Sequence, residues 1–325
     1  MTDVLILGGT GWLSSRICEA WLDAGASVTC LARGGRPVPY GASLVAADRG
    51  APDAYAAVAA REWDEVADVS SRPAHVAAAA EALAPVARHA TYVSSVSVYA
   101  RDDEPGADER AELLAPATGD ADDYGRQKSA AEAAVRRAFA RRAAIVRPGL
   151  IVGPGDPTDR FGFWPARFAL AGEESVLVPD APEAHAQVVD VDDLAAFIAR
   201  LGGARFVGAV NAVGDPIPLE GLLRRIGAVA GHTGAVVAAP PSFLEAHGVG
   251  YWAGPRSLPL WLPADAAGFA TRSNTAYRLL GGALRPVEET IARVLEDERA
   301  RGLDRPRAAG LTREEEREIL AALAG

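Results

Sequence analysis

Lysine is all but missing from this 325-residue chain. Of its 33 Lys and Arg residues, Lys128 is the one lysine. So complete a bias makes the exception informative, because a compact ammonium with an adjustable pKa does what a wide, permanently charged guanidinium cannot. Positive charge as a whole is also in deficit, 33 Lys plus Arg against 43 Asp plus Glu, for a formal charge of −10. That excludes the basic field that nucleic-acid phosphates require, although a local arginine patch can still hold one small anion. Cysteine is limited to Cys18 and Cys30, both in apolar surroundings near the N-terminus, so no disulfide framework is expected and a reducing cytoplasm is the expected location. No apolar run is long enough for a membrane helix, and no signal peptide is expected before the first strand. His75, His89, His185, His232 and His247 are scattered without ligand spacing, so no metal site is expected. With 49% hydrophobic and 23% charged residues and no low-complexity tract, the chain reads as globular. Its length suits one large α/β domain, or a nucleotide domain with a smaller partner.

What is present is alternation. Val4-Leu5-Ile6-Leu7 reads as a buried strand that runs into Gly8-Gly9-Thr10-Gly11-Trp12-Leu13-Ser14, with a helix predicted from Ser15 to Ala24. In this context glycines let the backbone turn tightly and approach a pyrophosphate seated on the helix N-terminus. Ser14 stands where a third glycine is usual, crowding the helix against the strand. A second strand, Ala26 to Ala32, ends in Arg33-Gly34-Gly35-Arg36. No carboxylate closes it to bind the ribose 2′-hydroxyl of NAD, whereas Arg33 and Arg36 suit the 2′-phosphate of NADP. NADP is therefore preferred over NAD, the alternative being a solvated arginine loop. A third strand, Ser43 to Ala47, is closed by Asp48-Arg49, with Asp48 placed to accept from an adenine amino group. Alanine-rich helices at 52–61 and 73–88 flank a fourth strand with the polar end Ser70-Ser71. A fifth runs from Ala90 through Ser94-Ser95-Val96-Ser97-Val98-Tyr99, its end rich in hydroxyls. This order predicts an α/β fold with a doubly wound parallel sheet, ligands lying at the C-terminal ends of its strands.

A polar loop at 101–123 leads to a helix, Tyr124 to Ala140. Tyr124 and Lys128 are four residues apart and share a face. The ammonium is predicted to lower the phenol's pKa from about 10, so that Tyr124 exchanges a proton with a substrate oxygen near neutral pH. The bland alternative is a solvated helix with a stray lysine. After a sixth strand at 143–146 the composition shifts toward glycine, proline and tryptophan. A helix is predicted at 161–171, a strand at 176–178, a strand turning into a helix at 187–200, and a last sheet strand at 207–213. Helices follow near 219–231 and at 286–301, and Thr312 with Glu315 forms a capping box that opens a final one. Residues 1–150, with about 187–213, are read as a dinucleotide-binding domain. About 151–186 and 214–325 are read as a smaller C-terminal substrate lobe.

Taken together, Gly8-Gly9-Thr10-Gly11-Trp12-Leu13, Asp48, Ser94 to Tyr99, Tyr124-xxx-Lys128, Arg147 to Asp156 and Val189 to Leu194 resemble the short-chain dehydrogenase/reductase family. The likeness is to its extended branch of NAD-dependent epimerases and dehydratases, and it covers roughly the first two hundred residues. The resemblance implies a Rossmann-like sheet and an enzyme with NADP or NAD as cofactor. It implies that Tyr124 is the acid/base, that Lys128 binds the nicotinamide ribose and holds Tyr124's pKa down, and that Ser95 binds the same substrate oxygen, with Ser94 as second choice. Gly8, Thr10, Gly11, Trp12 and Leu13 would surround the cofactor's pyrophosphate. Arg33, Arg36, Asp48 and Arg49 would face its adenosine half, and Ser70, Tyr124, Lys128 and Pro148 the rest.

The function expected is an NAD(P)-dependent oxidoreductase that interconverts a ketone and a secondary alcohol on a small molecule. One alternative is a nucleotide-sugar epimerase or dehydratase that retains its cofactor. Ser95 is followed by Val96-Ser97-Val98 with no carboxylate, which disfavours dehydration, and Gly149 stands where sugar-nucleotide enzymes of the branch commonly carry Asn. The third alternative is a non-catalytic relative that binds RNA or protein through the same fold. The stretch from Trp63 to Asp68 also resembles a subgroup related to chloroplast stem-loop-binding proteins and bacterial reductases. Tyr251, Trp252, Trp261, Phe163 and Trp164 are candidate pocket walls or, equally, core aromatics. A small-molecule substrate is the expected partner, with neither membrane nor nucleic acid, and a homodimer is compatible.

Overall fold

The structure, a computed structural model, describes residues 1–119 and 122–325; residues 120 and 121 of the polar loop lie outside the described residues. In chain order the strands are β1 (Asp3–Leu7), β2 (Ser27–Ala32), β3 (Ser43–Ala46), β4 (Trp63–Asp68), β5 (Ala87–Val93), β6 (Ala143–Pro148), β7 (Leu150–Val152), β8 (Val176–Pro179), β9 (His185–Asp190), β10 (Gly208–Ala212), β11 (Pro216–Pro218), β12 (Val236–Ala239), β13 (Gly250–Trp252) and β14 (Ser257–Pro259). The helices are α1 (Trp12–Asp23), α2 (Ala56–Ala59), α3 (Pro73–Leu83), α4 (Tyr124–Phe139), α5 (Phe163–Ala171), α6 (Val191–Gly203), α7 (Leu219–Ala230), α8 (Pro241–Ala246), α9 (Thr275–Leu279), α10 (Val287–Arg301) and α11 (Arg313–Ala324).

Seven strands make one parallel sheet in the order β10-β6-β5-β4-β1-β2-β3. The order reverses between β1 and β4, which opens a crevice at their C-terminal ends. Val4, Leu5, Ile6 and Leu7 of β1 are all buried, as a parallel strand covered on both faces must be. Ile17, Cys18 and Trp21 of α1 join Phe197, Ile198 and Leu201 of α6 on one face. Val76 and Leu83 of α3 join Ala131 and Val135 of α4 on the other. Beyond the sheet, β9 pairs with β7 and β11, β8 with β12, and β13 with β14. These strands and α5, α7 and α10 enclose a separate core around Trp164, Phe168, Leu222 and Trp261. Asp190 ties the two parts together: it caps α6 by accepting from Asp192 N at 2.9 Å and receives Thr290 and Arg293 from α10.

Several boundaries differ from those predicted, each for a local reason. The helix expected at 73–88 stops at Leu83: Ala84 keeps helical backbone and closes the last turn onto the Ala80 carbonyl, but Pro85 after it has no N–H to continue the ladder. The helix expected at 52–61 shrinks to Ala56–Ala59; Trp63 Nε1 takes the Val58 carbonyl at 2.7 Å, and β4 begins. The hydroxyl-rich segment is not strand. β5 ends at Val93, and Ser95 caps a one-turn helix at Val96–Val98 by accepting from Ser97 N. The stretch at 251–263, for which no helix or strand is predicted, contributes to the paired β13 and β14. No helix of the described residues is long and apolar enough to cross a membrane.

Candidate active site

The glycine turn is built around Cys30. Gly9 has φ of 64°, and a Cβ there would lie 2.4 Å from Cys30 Sγ, so only glycine lets the turn close over β2. Ser14, expected to crowd the helix, instead completes its start: its Oγ accepts from Gly11 N at 3.1 Å. Helix α1 therefore begins at Trp12, three residues earlier than predicted. The Trp12 indole donates to the Pro154 carbonyl at 2.8 Å, so this side chain faces the 153–156 loop, and Leu13 is half-buried behind it.

Gly8, Thr10, Arg33, Asp48, Arg49 and Ser70 line one open cleft of ≈ 670 Å³ along the strand ends. Arg33 is exposed and has no ion-pair partner among the described residues. Arg36 is exposed and is not one of the cleft's walls. Arg49 departs from expectation. Its guanidinium grips Asp68 at 2.8 and 2.6 Å and also reaches Tyr55 and the His75 carbonyl, so its hydrogen-bonding groups are taken within the protein. Asp48 accepts from Gly50 N at 3.0 Å. Pro148 is buried at the end of β6, opposite Ala212 of β10.

Helix α4 carries Tyr124 and Lys128. Asp123 caps it by accepting from Arg126 N at 2.9 Å, and Gly125 seats it. A Cβ on Gly125 would stand 2.1 Å from the Ser97 carbonyl oxygen, so the absent side chain lets the helix start press against the Ser95 turn. That approach brings Tyr124 to Ser95 and Ser71, whose hydroxyls are near enough to lower the Tyr124 pKa. Lys128 lies beneath, 2% exposed, its Nζ donating to the carbonyls of Val93 at 2.8 Å and Ser70 at 3.1 Å and standing 5.9 Å from the Tyr124 ring. Ser94 is buried beside the Glu132 carboxylate, so of the Ser94-Ser95 pair it is Ser95 that joins Ser71 at Tyr124.

The electrostatics differ from the prediction. Tyr124 is half exposed, yet crowding at its hydroxyl end raises its pKa; Ser71, Ser95 and the charge of Arg160 oppose the rise. Burial pushes Lys128 down to about 8, although Asp68 and Glu132 favour its charge. The expected lowering of the phenol by Lys128 is thus not found, since Lys128 is not among the groups that shift Tyr124. With its ammonium turned to two backbone carbonyls, Lys128 fixes geometry first. Sequence reasoning also missed the brace behind the helix. Glu132, one turn beyond Lys128, pairs with Arg147 of β6 at 2.9 and 2.7 Å. Arg147 reaches Tyr99 at 3.0 Å, and Tyr99 donates to Asn211 of β10 at 2.5 Å. Lys128 and Glu132 at i, i+4 were the legible half of that signal.

A turn of positive-φ glycine, a cleft along the strand ends and an unpaired arginine on its wall fit a dinucleotide. A model of the NAD dependent epimerase/dehydratase family matches residues 4–205. No curated protein sequence matches this one. Among solved structures, a candidate epimerase of Burkholderia cenocepacia superposes with a TM-score of 0.70 at 21% identity, covering 92% of this chain and 98% of that one. The UDP-glucose 4-epimerase of Thermotoga maritima, solved with UDP-glucose, gives 0.64 at 15% identity, covering 92% and 99%. That of Thermus thermophilus, solved with NAD, gives 0.63 at 16%, covering 92% and 99%. The likeness to these structures is one of fold. The match over 4–205 goes further: the chain belongs to the NAD dependent epimerase/dehydratase family and is an NAD(P)-dependent enzyme of the short-chain dehydrogenase/reductase type.

Proposed function

We propose that this protein interconverts a ketone and a secondary alcohol on a small molecule, with Tyr124 as acid/base. The observation that supports this most is the convergence of Tyr124, Ser95 and Lys128 at the ends of β4 and β5, beside the cleft that begins at Gly8. The seven-stranded sheet would hold the cofactor, and the part built from about 151–186 and 214–325 would cover the substrate. Gly8, Thr10 and Gly11 would take the pyrophosphate, Asp48 the adenine, and Lys128 the nicotinamide ribose. Arg33 would take a 2′-phosphate, so NADP is the preferred cofactor, although several structural neighbours were solved with NAD. When bound, the nicotinamide supplies or accepts the hydride. Tyr124 gives its phenolic proton to the developing alkoxide in reduction and takes it back in oxidation, while Ser95 donates to the same oxygen. A positioned acid/base of this kind contributes about 10²–10⁴ in rate.

A second reading has specific support. The family includes epimerases, and structural neighbours include 4-epimerases of UDP-sugars. There the same chemistry would run transiently, the cofactor staying bound while the stereocentre inverts. The test is the nucleotide that copurifies. A tightly held oxidised cofactor supports the epimerase reading, a freely exchanging one the reductase, and a protein that binds neither NAD nor NADP overturns both.

A further inference from the structure

Among the arginines that are not solvent-exposed, Arg160 is the one without an ion-pair partner among the described residues. Burying an unpaired charge is costly, so a half-buried guanidinium left open is unusual. Its surroundings hold it rather than neutralise it. Arg160 Nε donates to Thr158 Oγ1 at 3.3 Å, and one face of the guanidinium lies 4.9 Å over the Trp252 ring. Asp156 is the nearby carboxylate, but its two oxygens are occupied by the backbone N–H and hydroxyl of Thr158, at 2.8 and 2.9 Å.

Trp252 is itself held in place at a cost. Its φ is 62°, a left-handed conformation that bulky aromatic residues rarely adopt. Its N–H donates to the Trp261 carbonyl at 2.9 Å, and Phe269 packs edge-on at 5.3 Å. The loop carrying Arg160 is fixed from the other side by Trp12, through the bond to Pro154. With one face on Trp252 and Nε engaged, the guanidinium retains its Nη edge, two parallel N–H donors suited to the paired oxygens of an oxyanion. That edge belongs to a group whose charge reaches the Tyr124 hydroxyl.

We propose that Arg160 is the anion-binding residue of the substrate cleft, and that the substrate carries a carboxylate or phosphate held by it while the reacting oxygen meets Tyr124. This assignment rests on the reading of Tyr124 as the acid/base. It also gives the otherwise unexplained strain at Trp252 a role, since the indole covers the guanidinium face and leaves only the edge that reads a planar pair of oxygens.

The test reads binding without turnover. The cofactor-loaded enzyme is titrated calorimetrically with malonate and, separately, with inorganic phosphate, in wild type, Arg160→Gln and Arg160→Lys. Wild type is expected to bind at least one of them, Arg160→Gln to lose tenfold or more, and Arg160→Lys to keep part of the affinity as a point charge without the fork. Tighter malonate binding identifies a carboxylate, and tighter phosphate binding a phosphate. Should Arg160→Gln fail to fold, the loss in Arg160→Lys decides. Wild type binding neither anion, or both variants binding as wild type, overturns the proposal and leaves Arg160 as packing for Trp252. Failure of the acid/base reading is separate: it shows as turnover surviving in Tyr124→Phe, whatever the calorimetry gives.

Discussion

The ammonium of Lys128 stands 2.8 Å from the carbonyl oxygen of Val93, the last residue of β5, and so joins the helix that carries Tyr124 to the strand that delivers Ser95. A guanidinium is too wide to sit between that carbonyl and the one of Ser70, so the chain's sole lysine occupies the position arginine would fill worst. Lys128→Arg should lower kcat by at least about 10²-fold, the lower end of what one positioned catalytic group contributes. Steady-state rates checked against a circular dichroism melt separate this from misfolding; an arginine variant near wild-type activity would remove Lys128 from the mechanism.

The same burial has a pH signature. Lys128 falls from 10.5 to about 8 on folding, so between about pH 8 and 10 the unfolded chain binds the extra proton and stability rises with pH. The depression corresponds to about 3 kcal/mol. Lys128→Met should lose this rise, measured as urea midpoints across that window, while also losing turnover. An identical pH slope in the two proteins would place the titration elsewhere.

Gly125 is predicted to be as sensitive as the residues it positions. Gly125→Ala puts a methyl group 2.1 Å from the Ser97 carbonyl oxygen, a backbone atom that cannot rotate away. The start of α4 must then retreat from the Ser95 turn, at a cost of about 1–3 kcal/mol for overpacking. Turnover should drop while cofactor affinity, set along the β1 to β4 strand ends, changes less. Unaltered kcat in Gly125→Ala would show that Tyr124 tolerates the displacement.

Much of this was legible in the sequence, because the strands of a parallel sheet are buried on both faces and read as apolar runs such as Val4 to Leu7. The strand ends were legible too, since glycine, serine and arginine there have few other uses. What the sequence hid depends on contacts between distant segments. The Glu132–Arg147 pair joins a helix to the next strand through geometry that no local pattern encodes. Nothing local to Arg49 showed that Asp68, nineteen residues away, holds its guanidinium at the cleft wall. Arg160 stands out only once every other arginine that is not exposed has found a carboxylate.

Arg33 remains open, exposed on the wall of the cleft. If it binds a 2′-phosphate, Arg33→Ala should lower the NADP to NAD affinity ratio by about 10- to 150-fold, the equivalent of the 1.5–3 kcal/mol of a charged hydrogen bond. Fluorescence titration with both nucleotides measures it, and an unchanged ratio refutes the NADP preference.

At the opposite end of β5, His89 supplies a stability test independent of the site. Its Nδ1 lies 2.5 Å from Glu65 and its Nε2 2.6 Å from the Phe206 carbonyl, with the ring 1% exposed. Two acceptors facing two ring nitrogens are satisfied together only by the imidazolium, both of whose nitrogens donate. Burial pushes the ring toward neutrality, but Glu65 and the carbonyl outweigh it and raise its pKa, against a smaller opposing effect of Arg205. A histidine raised on folding stabilises fully below its unfolded pKa of about 6.5, and that contribution is lost as pH climbs through the higher folded value. Melting temperature should therefore fall as pH rises from about 6.5, with kcat unaffected by the loss. Glu65→Gln removes the charge that raises the ring while keeping an amide oxygen as acceptor, so the fall should become smaller and end at lower pH. A flat wild-type profile above pH 6.5, or one that Glu65→Gln leaves in place, would mean that the buried ring is neutral throughout.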